Sequence, residues 1–254
     1  MSVILPFVKK NQSENRLHNV AVLAQHANLA YETPEVIESV TRDFAVYPFQ
    51  NLMAHGFVSM REDTCIVSIA GTDDRHDALL DALFSYQQID RFYVHTGFLL
   101  YAVLVREAIS QLCLPRSWKY YFTGHSLGGA AAQLMPLLLR NVEDSNVVTF
   151  GAPRVMCEDS AGRYLTPCIR VVRREDIVPD YPPQRFLRFA HVGDERVLRG
   201  PGDLITGQHD WISRVCRAAR LAMTRVRGRA AMEATIAKSH SMADYAEWLE
   251  PFMA

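Results

Sequence analysis

The chain lacks most of the features that would mark a special class. Its five cysteines, Cys65, Cys113, Cys157, Cys168 and Cys216, are odd in number and scattered, with no Cys-x-x-Cys among them. Neither a structural metal site nor a disulfide framework is indicated. With 27 Lys and Arg against 28 Asp and Glu, the formal net charge is −1. A polyanion-binding signature is missing from the chain as a whole, so nucleic acid is not an expected partner. No apolar run approaches the roughly 20 residues that cross a bilayer. Near the N-terminus Lys9 and Lys10 follow a short apolar patch, the reverse of a secretory signal. These absences point to a soluble cytoplasmic protein, with signal-independent export as the other route. Internal repeats, low-complexity tracts and linkers are also missing, so residues 1–254 are expected to form a single domain. An apolar content of 49% is enough for a large core.

What the chain does have is Tyr120-Tyr121-Phe122-Thr123-Gly124-His125-Ser126-Leu127-Gly128-Gly129. A β-prone aromatic run ends at Gly124, and Ala130, Ala131, Ala132, Gln133 and Leu134 then supply helix formers. The stretch reads as strand, sharp turn and helix with Ser126 at the apex. Gly-x-Ser-x-Gly is the pattern of a nucleophile elbow. Its glycines let strand and helix approach while the serine sits in a strained conformation. The free N–H groups of the first helical turn then face whatever the hydroxyl attacks, and that of Leu127 is a candidate oxyanion donor.

Elsewhere strands and helices interleave. Val20 to Ala30 has helical spacing, and Thr33-Pro34 starts a second helix with Thr33 as N-cap and Pro34 at N1. His55 to Met60 and Thr64 to Ala70 read as an antiparallel pair joined by Arg61-Glu62-Asp63, with Cys65 as a small core residue. Gly97 to Leu112 is a long apolar helix; Val147 to Phe150 and Ile169 to Val172 are further strands. The pattern is α/β: a mixed, mostly parallel central sheet flanked by helices.

A serine hydroxyl needs a base to take its proton and an acid to orient that base. In α/β-hydrolase topology both follow the serine in the order Ser, Asp or Glu, His. Asp176, 50 residues beyond Ser126, follows the strand Ile169 to Val172, with Asp180 and Glu175 as competitors. Three histidines follow the elbow. His191 falls in the apparent strand Phe186 to Val192, His209 in a polar loop, and His240 just before a terminal helix Met242 to Leu249, where it is best placed to reach the elbow. A second oxyanion donor is expected after an earlier strand, and Gly71-Thr72 offers the amide of Thr72.

Together these residues resemble the class 3 lipase family of α/β-hydrolases. The likeness is carried by Gly124 to Gly129; Val94-His95-Thr96-Gly97-Phe98; Thr149-Phe150-Gly151-Ala152-Pro153-Arg154-Val155; Asp176-Ile177-Val178-Pro179 with Pro182-Pro183; and His240-Ser241-Met242 followed by Tyr245. It implies an α/β-hydrolase fold, a triad of Ser126, Asp176 and His240, and Thr72 and Leu127 as oxyanion donors. One departure is Ile69-Ala70-Gly71, where the family commonly has Phe-Arg-Gly; the arginine that braces that loop is absent. The resemblance also implies a lid, here Asp74 to Arg91, as a helix with Leu79, Leu80, Leu83, Phe84 and Gln87 along one face.

The expected activity is hydrolysis of carboxylic esters of lipidic substrates through an acyl-enzyme, with no metal or organic cofactor. The alternatives are an esterase for small soluble esters and a hydrolase-fold binding protein with little activity. A further expectation rests on the helix from Trp211 to Val226. Trp211, Ile212, Val215, Ala219, Ala222, Met223 and Val226 share one face, and Arg214, Arg217, Arg220 and Arg227 share the other. Such a helix is expected either to present its arginines to an anionic membrane or to pack its apolar side on the core.

Overall fold

The computed structural model describes residues 14–71, 85–112, 114–115, 117–139, 142–182, 184–207 and 211–253. In chain order the elements begin with α1 (Glu14–Leu29), α2 (Pro34–Val40), β1 (Ala45–Asn51), β2 (Ala54–Arg61), β3 (Thr64–Ile69), β4 (Tyr86–Ile89), β5 (Phe92–His95) and α3 (Thr96–Ser110). They continue with β6 (Lys119–His125), α4 (Leu127–Leu138), β7 (Ser145–Phe150), β8 (Met156–Cys157), α5 (Glu158–Ala161) and β9 (Cys168–Arg173). After a 3₁₀ turn at Val178–Asp180 come α6 (Gln184–Leu187), β10 (Phe189–Ala190), β11 (Asp194–Gly200) and β12 (Asp203–Thr206). Last are α7 (Trp211–Arg227), α8 (Arg229–Ser239) and α9 (Met242–Leu249).

Eight strands form one sheet in the order β1-β2-β3-β6-β7-β9-β11-β12. The middle five run parallel, while β1–β2–β3 and β11–β12 pair antiparallel at the two ends. Pro48 helps to explain why β1 is hard to see in the sequence. A proline interrupts the strand pattern and lacks a ladder donor, which an edge position tolerates.

Alternation along the strands decides which face each side chain fills. Tyr120 and Phe122 of β6, Cys65, Val67 and Ile69 of β3 and Val147 of β7 point to a core shared with α3 and α4. Ile66, Val148 and Phe150 point the other way, to a core shared with α1 and α9. With helices buried on both faces, strands such as β3 and β7 read as nearly continuous apolar runs. Cys65 is fully buried, and burial pushes its thiol up to about 12, consistent with a small core residue. Within α1, His26 is buried: its Nδ1–H donates to Val22 O at 3.0 Å and Nε2 faces Ser59 Oγ at 3.1 Å. Burial lowers its pKa to about 4, so the ring stays neutral.

Three expectations need correction. Phe186 to Val192 is not a strand: helix α6 ends at Leu187 and only Phe189–Ala190 pairs, with β8. The intended lid helix falls mostly on residues 72–84, which lie outside the described residues, but its far end does not continue it. Gln87 and Gln88 lie in β4, antiparallel to β5. The third correction concerns α7, where an arginine of the supposed outer face turns inward while three apolar residues of the other face are exposed. Arg217 is 2% exposed, donating from Nε to Asp180 Oδ2 at 3.1 Å and from NH2 to Glu195 Oε1 at 3.4 Å. Leu221 and Thr224 are buried beside it, whereas Val215, Met223 and Val226 are 57, 51 and 89% exposed. The Arg217 ion pairs dock this helix, and Val215, Met223 and Val226 face outward. The helix ends before Gly228, at φ +89°, and α8 begins one residue later.

Candidate active site

Ser126 caps the N-terminus of α4 at φ +55° and ψ −124°, a left-handed region that a non-glycine residue enters only under strain. The surrounding glycines explain how the turn is held. A Cβ on Gly124 would lie 2.5 Å from the backbone of Gly128, and one on Gly128 would lie 2.2 Å from Ile69 O. No side chain fits where β3, β6 and α4 converge. Ser126 N–H donates to Phe150 O at 3.0 Å, tying the elbow to the end of β7. Leu127 is the first residue of α4, so its N–H has no partner one turn back within the helix and stands next to the serine.

Asp176 follows β9 and is fully buried. Its Oδ2 lies 2.7 Å from His240 Nδ1, and the same oxygen accepts from the Tyr245 hydroxyl at 2.8 Å; Oδ1 accepts from Val178 N–H at 2.9 Å. The Tyr245 hydroxyl in turn accepts Arg173 N–H at 2.8 Å. Burial and the Asp176 charge hold the Tyr245 phenol well above its ordinary pKa, so it remains a donor. His240 caps the C-terminus of α8, and its ring packs 4.2 Å, centroid to centroid, from that of His125 in the elbow. Gly151, at φ +58°, makes room for the pair: a Cβ there would lie 2.7 Å from Asp176 Oδ2 and 2.8 Å from His240 Cε1.

Two of the competing residues, Asp180 and His191, have other work. Asp180 accepts from Arg154 NH2 and Arg217 Nε, both at 3.1 Å. His191 Nε2–H donates to Pro179 O at 2.7 Å, and burial together with Arg170 pushes its pKa well below the usual value. His209 and Thr72 lie outside the described residues, but β3 does bring Gly71 beside Ser126, whose Cβ a Gly71 side chain would meet at 3.4 Å. Where the family arginine is missing, two tyrosines hold the loop. Tyr31 at the end of α1 accepts Gly71 N–H at 2.9 Å and lies 3.0 Å from His125 Nδ1, and Tyr101 of α3 donates to Ala70 O at 2.8 Å. Tyr31, Tyr101 and Tyr245 were not assigned a role from sequence. Only Tyr245 carried a signal, its place after His240. His95, in another of the quoted segments, caps α3 by accepting Phe98 N–H, and burial lowers its pKa to about 4, keeping the acceptor neutral.

A serine at a strand-to-helix elbow, with a buried aspartate–histidine pair from later loops on a mostly parallel sheet, defines an α/β-hydrolase. Residues 66–186 match the family described as Lipase (class 3). A lipase of Rhizopus niveus is 33% identical over 167 residues, covering 57% of this chain and 42% of its own length. The chain thus spans less than half of the curated relatives it matches. Among solved structures, a lipase from Rhizopus microsporus var. chinensis superposes with a TM-score of 0.65 at 25% identity, covering 81% of this chain and 86% of that one. A second, described as a triacylglycerol lipase whose catalytic centre is formed by a serine protease triad, gives 0.63 at 25% identity over 78% and 89%.

Proposed function

We propose that the protein hydrolyses carboxylic esters of lipidic substrates. The observation that carries this reading is the buried Asp176–His240 pair against the strained Ser126 elbow. In the proposed reaction Ser126 Oγ attacks the ester carbonyl carbon while His240 Nε2 takes its proton. Asp176 holds the ring through Nδ1–H and stabilises the imidazolium that forms. The tetrahedral oxyanion is met by the Leu127 N–H and, from the Gly71 loop, by that of Thr72. Collapse expels the alcohol, which takes the proton from His240. A water activated by the same ring then attacks the acyl-enzyme and releases the acid.

The choice of a lipidic acyl group draws on the triacylglycerol lipase among the structural relatives. Contact with a lipid surface is assigned to the outward row of α7, Val215, Met223 and Val226, with Arg220 and Arg227 also exposed on that helix. A panel of p-nitrophenyl esters of rising acyl length tests the activity. Turnover that rises with chain length and disappears in Ser126→Ala is expected; a flat profile selects an esterase for small soluble esters, and absence of turnover selects the binding protein.

A further inference from the structure

Residues of α7 and α8 and of the ends of β9 and α9 line an open cavity of about 620 Å³. Its wall includes Glu175 and Ser239, each next in sequence to one member of the Asp176–His240 pair. Besides Thr224 and Thr235, its charged groups are mainly cationic: Arg173, Arg220, Arg227 and Lys238 line it, against Glu175 as its one carboxylate. Among the described residues no ion pair engages Arg227 or Lys238, and Arg220 reaches the backbone O of Glu175 at 3.4 Å. Arg173 is deeper, its side chain 8% exposed. One guanidinium nitrogen is satisfied by Asp244 Oδ2 at 2.5 Å, while its Nε is buried with no hydrogen-bond partner in the protein. Glu175 Oε2 is likewise buried without a donor.

We propose that this cavity binds a phosphate monoester, specifically the headgroup of a phosphate-bearing lipid. A cavity with several cationic donors and one acceptor left over suits an oxyanion that carries several acceptor oxygens and one ionisable proton. Phosphate monoesters have both, with a second pKa of about 6. Their oxygens accept from Arg220, Arg227 and Lys238 on the wall, and the proton is shared with the Glu175 carboxylate. A fatty carboxylate or a phosphodiester offers no such proton at neutral pH. The lipid part of the assignment comes from the walls. Met223 and Trp248 line the same cavity, and Met223 continues into the outward apolar row that ends at Val226, a path for an acyl chain. Most of the lining lies beyond residue 186, C-terminal to the stretch shared with the lipase family.

The proposal rests on the lipid-facing reading of α7 but not on hydrolysis, so it is tested with the full chain carrying Ser126→Ala. Vesicles of phosphatidylcholine containing phosphatidic acid are compared with vesicles of equal surface charge containing phosphatidylglycerol. The expected result is at least tenfold tighter binding to the monoester lipid. That preference should be lost in Arg227→Glu with Lys238→Glu, and reduced in Lys238→Gln. Both residues are exposed, so the unliganded melting temperature should stay unchanged. Equal binding to the two vesicles, or a preference that survives in both variants, overturns the monoester site. A short-chain soluble phosphatidic acid should raise the melting temperature more than inorganic phosphate does. Equal shifts would overturn the lipid assignment in favour of a free-phosphate site.

Discussion

Tyr245 and His240 converge on a single carboxylate oxygen, Oδ2 of Asp176, at 2.8 and 2.7 Å. The phenol is fully buried and takes the Arg173 N–H on its other side, so it cannot turn away without leaving two groups unsatisfied. It fixes the carboxylate in the plane that suits the imidazole. Tyr245→Phe keeps the ring and removes only the hydroxyl. Losing a hydrogen bond to a buried charge costs about 1–3 kcal/mol. We expect kcat to fall roughly tenfold to a hundredfold with KM little changed, measured on a soluble short-chain ester, together with a lower melting temperature.

Ser126, Asp176 and His240 should act as a unit. Ser126→Ala, His240→Ala and Asp176→Asn are each expected to lose on the order of 10⁴ in turnover, and a double variant should lose little more than a single one. A fluorophosphonate probe should label the wild type and leave folded Ser126→Ala unlabelled. His209→Ala should retain activity; an inactive His209 variant beside an active His240 variant would refute the assignment.

Without the family arginine before Gly71, the loop start depends on hydroxyls from two helices. Tyr31→Phe leaves Gly71 N–H without its acceptor and frees His125 Nδ1 from its partner 3.0 Å away. The expected effect is a roughly tenfold loss of kcat, about 1.4 kcal/mol, because the loop carries the second proposed oxyanion donor. Tyr101→Phe, which loses a bond to Ala70 O, should act in the same direction. If both variants are fully active, the tyrosines do not position the loop for catalysis.

The elbow, the parallel strands and the Asp176–His240 pair were legible because each is local. Ser126 stands between glycines with a strand before it and a helix after it, and Asp176 and His240 sit beside strand and helix boundaries that periodicity marks. Position alone left Asp180 and Glu175 open; the resemblance favoured Asp176, and the structure shows Asp180 claimed by Arg154 and Arg217. The face of α7 was misjudged. Hydrophobic periodicity assumes that apolar residues turn inward, but Asp180 and Glu195 on the body create a charged socket that draws Arg217 in instead. Nothing in residues 211–227 announces that socket, because its members are 22 and 37 residues distant from Arg217. Tyr31 was invisible for a similar reason: its partner Gly71 is 40 residues away.

Acid should destabilise the fold through His26. Its pKa is 6.5 when exposed and about 4 when folded, lowered by burial. Below pH 6.5 the unfolded chain binds a proton that the folded chain refuses, so stability falls as pH drops from 6.5 towards 4. Between pH 7 and pH 5 this group alone contributes a loss of about 2 kcal/mol. His26→Gln does not titrate, and the difference between its unfolding free energies at the two pH values should be smaller than that of the wild type by about that amount, measured by urea denaturation. An identical pH dependence would show that the ring is accessible to protons in the native state.

The orientation of α7, with Arg217 inward and Val226 outward, separates the two sides of that helix by their effect on stability. Arg217 is held by Asp180 and Glu195, so Arg217→Ala removes the cation that joins the Arg154–Asp180 and Arg170–Glu195 pairs in a largely buried site. Each carboxylate keeps one arginine, so the loss is that of hydrogen bonds to charged groups, about 1.5–3 kcal/mol. Val226, 89% exposed, has no such attachment. Val226→Lys should change stability by less than about 0.5 kcal/mol, while weakening attachment to vesicles if the outward row enters lipid. Had the helix packed with its apolar row inward, the ranking would invert: burying a lysine at 226 would be costly and removing a solvated arginine would be nearly neutral. Chemical denaturation of the two variants therefore decides the orientation of α7 without a substrate or ligand.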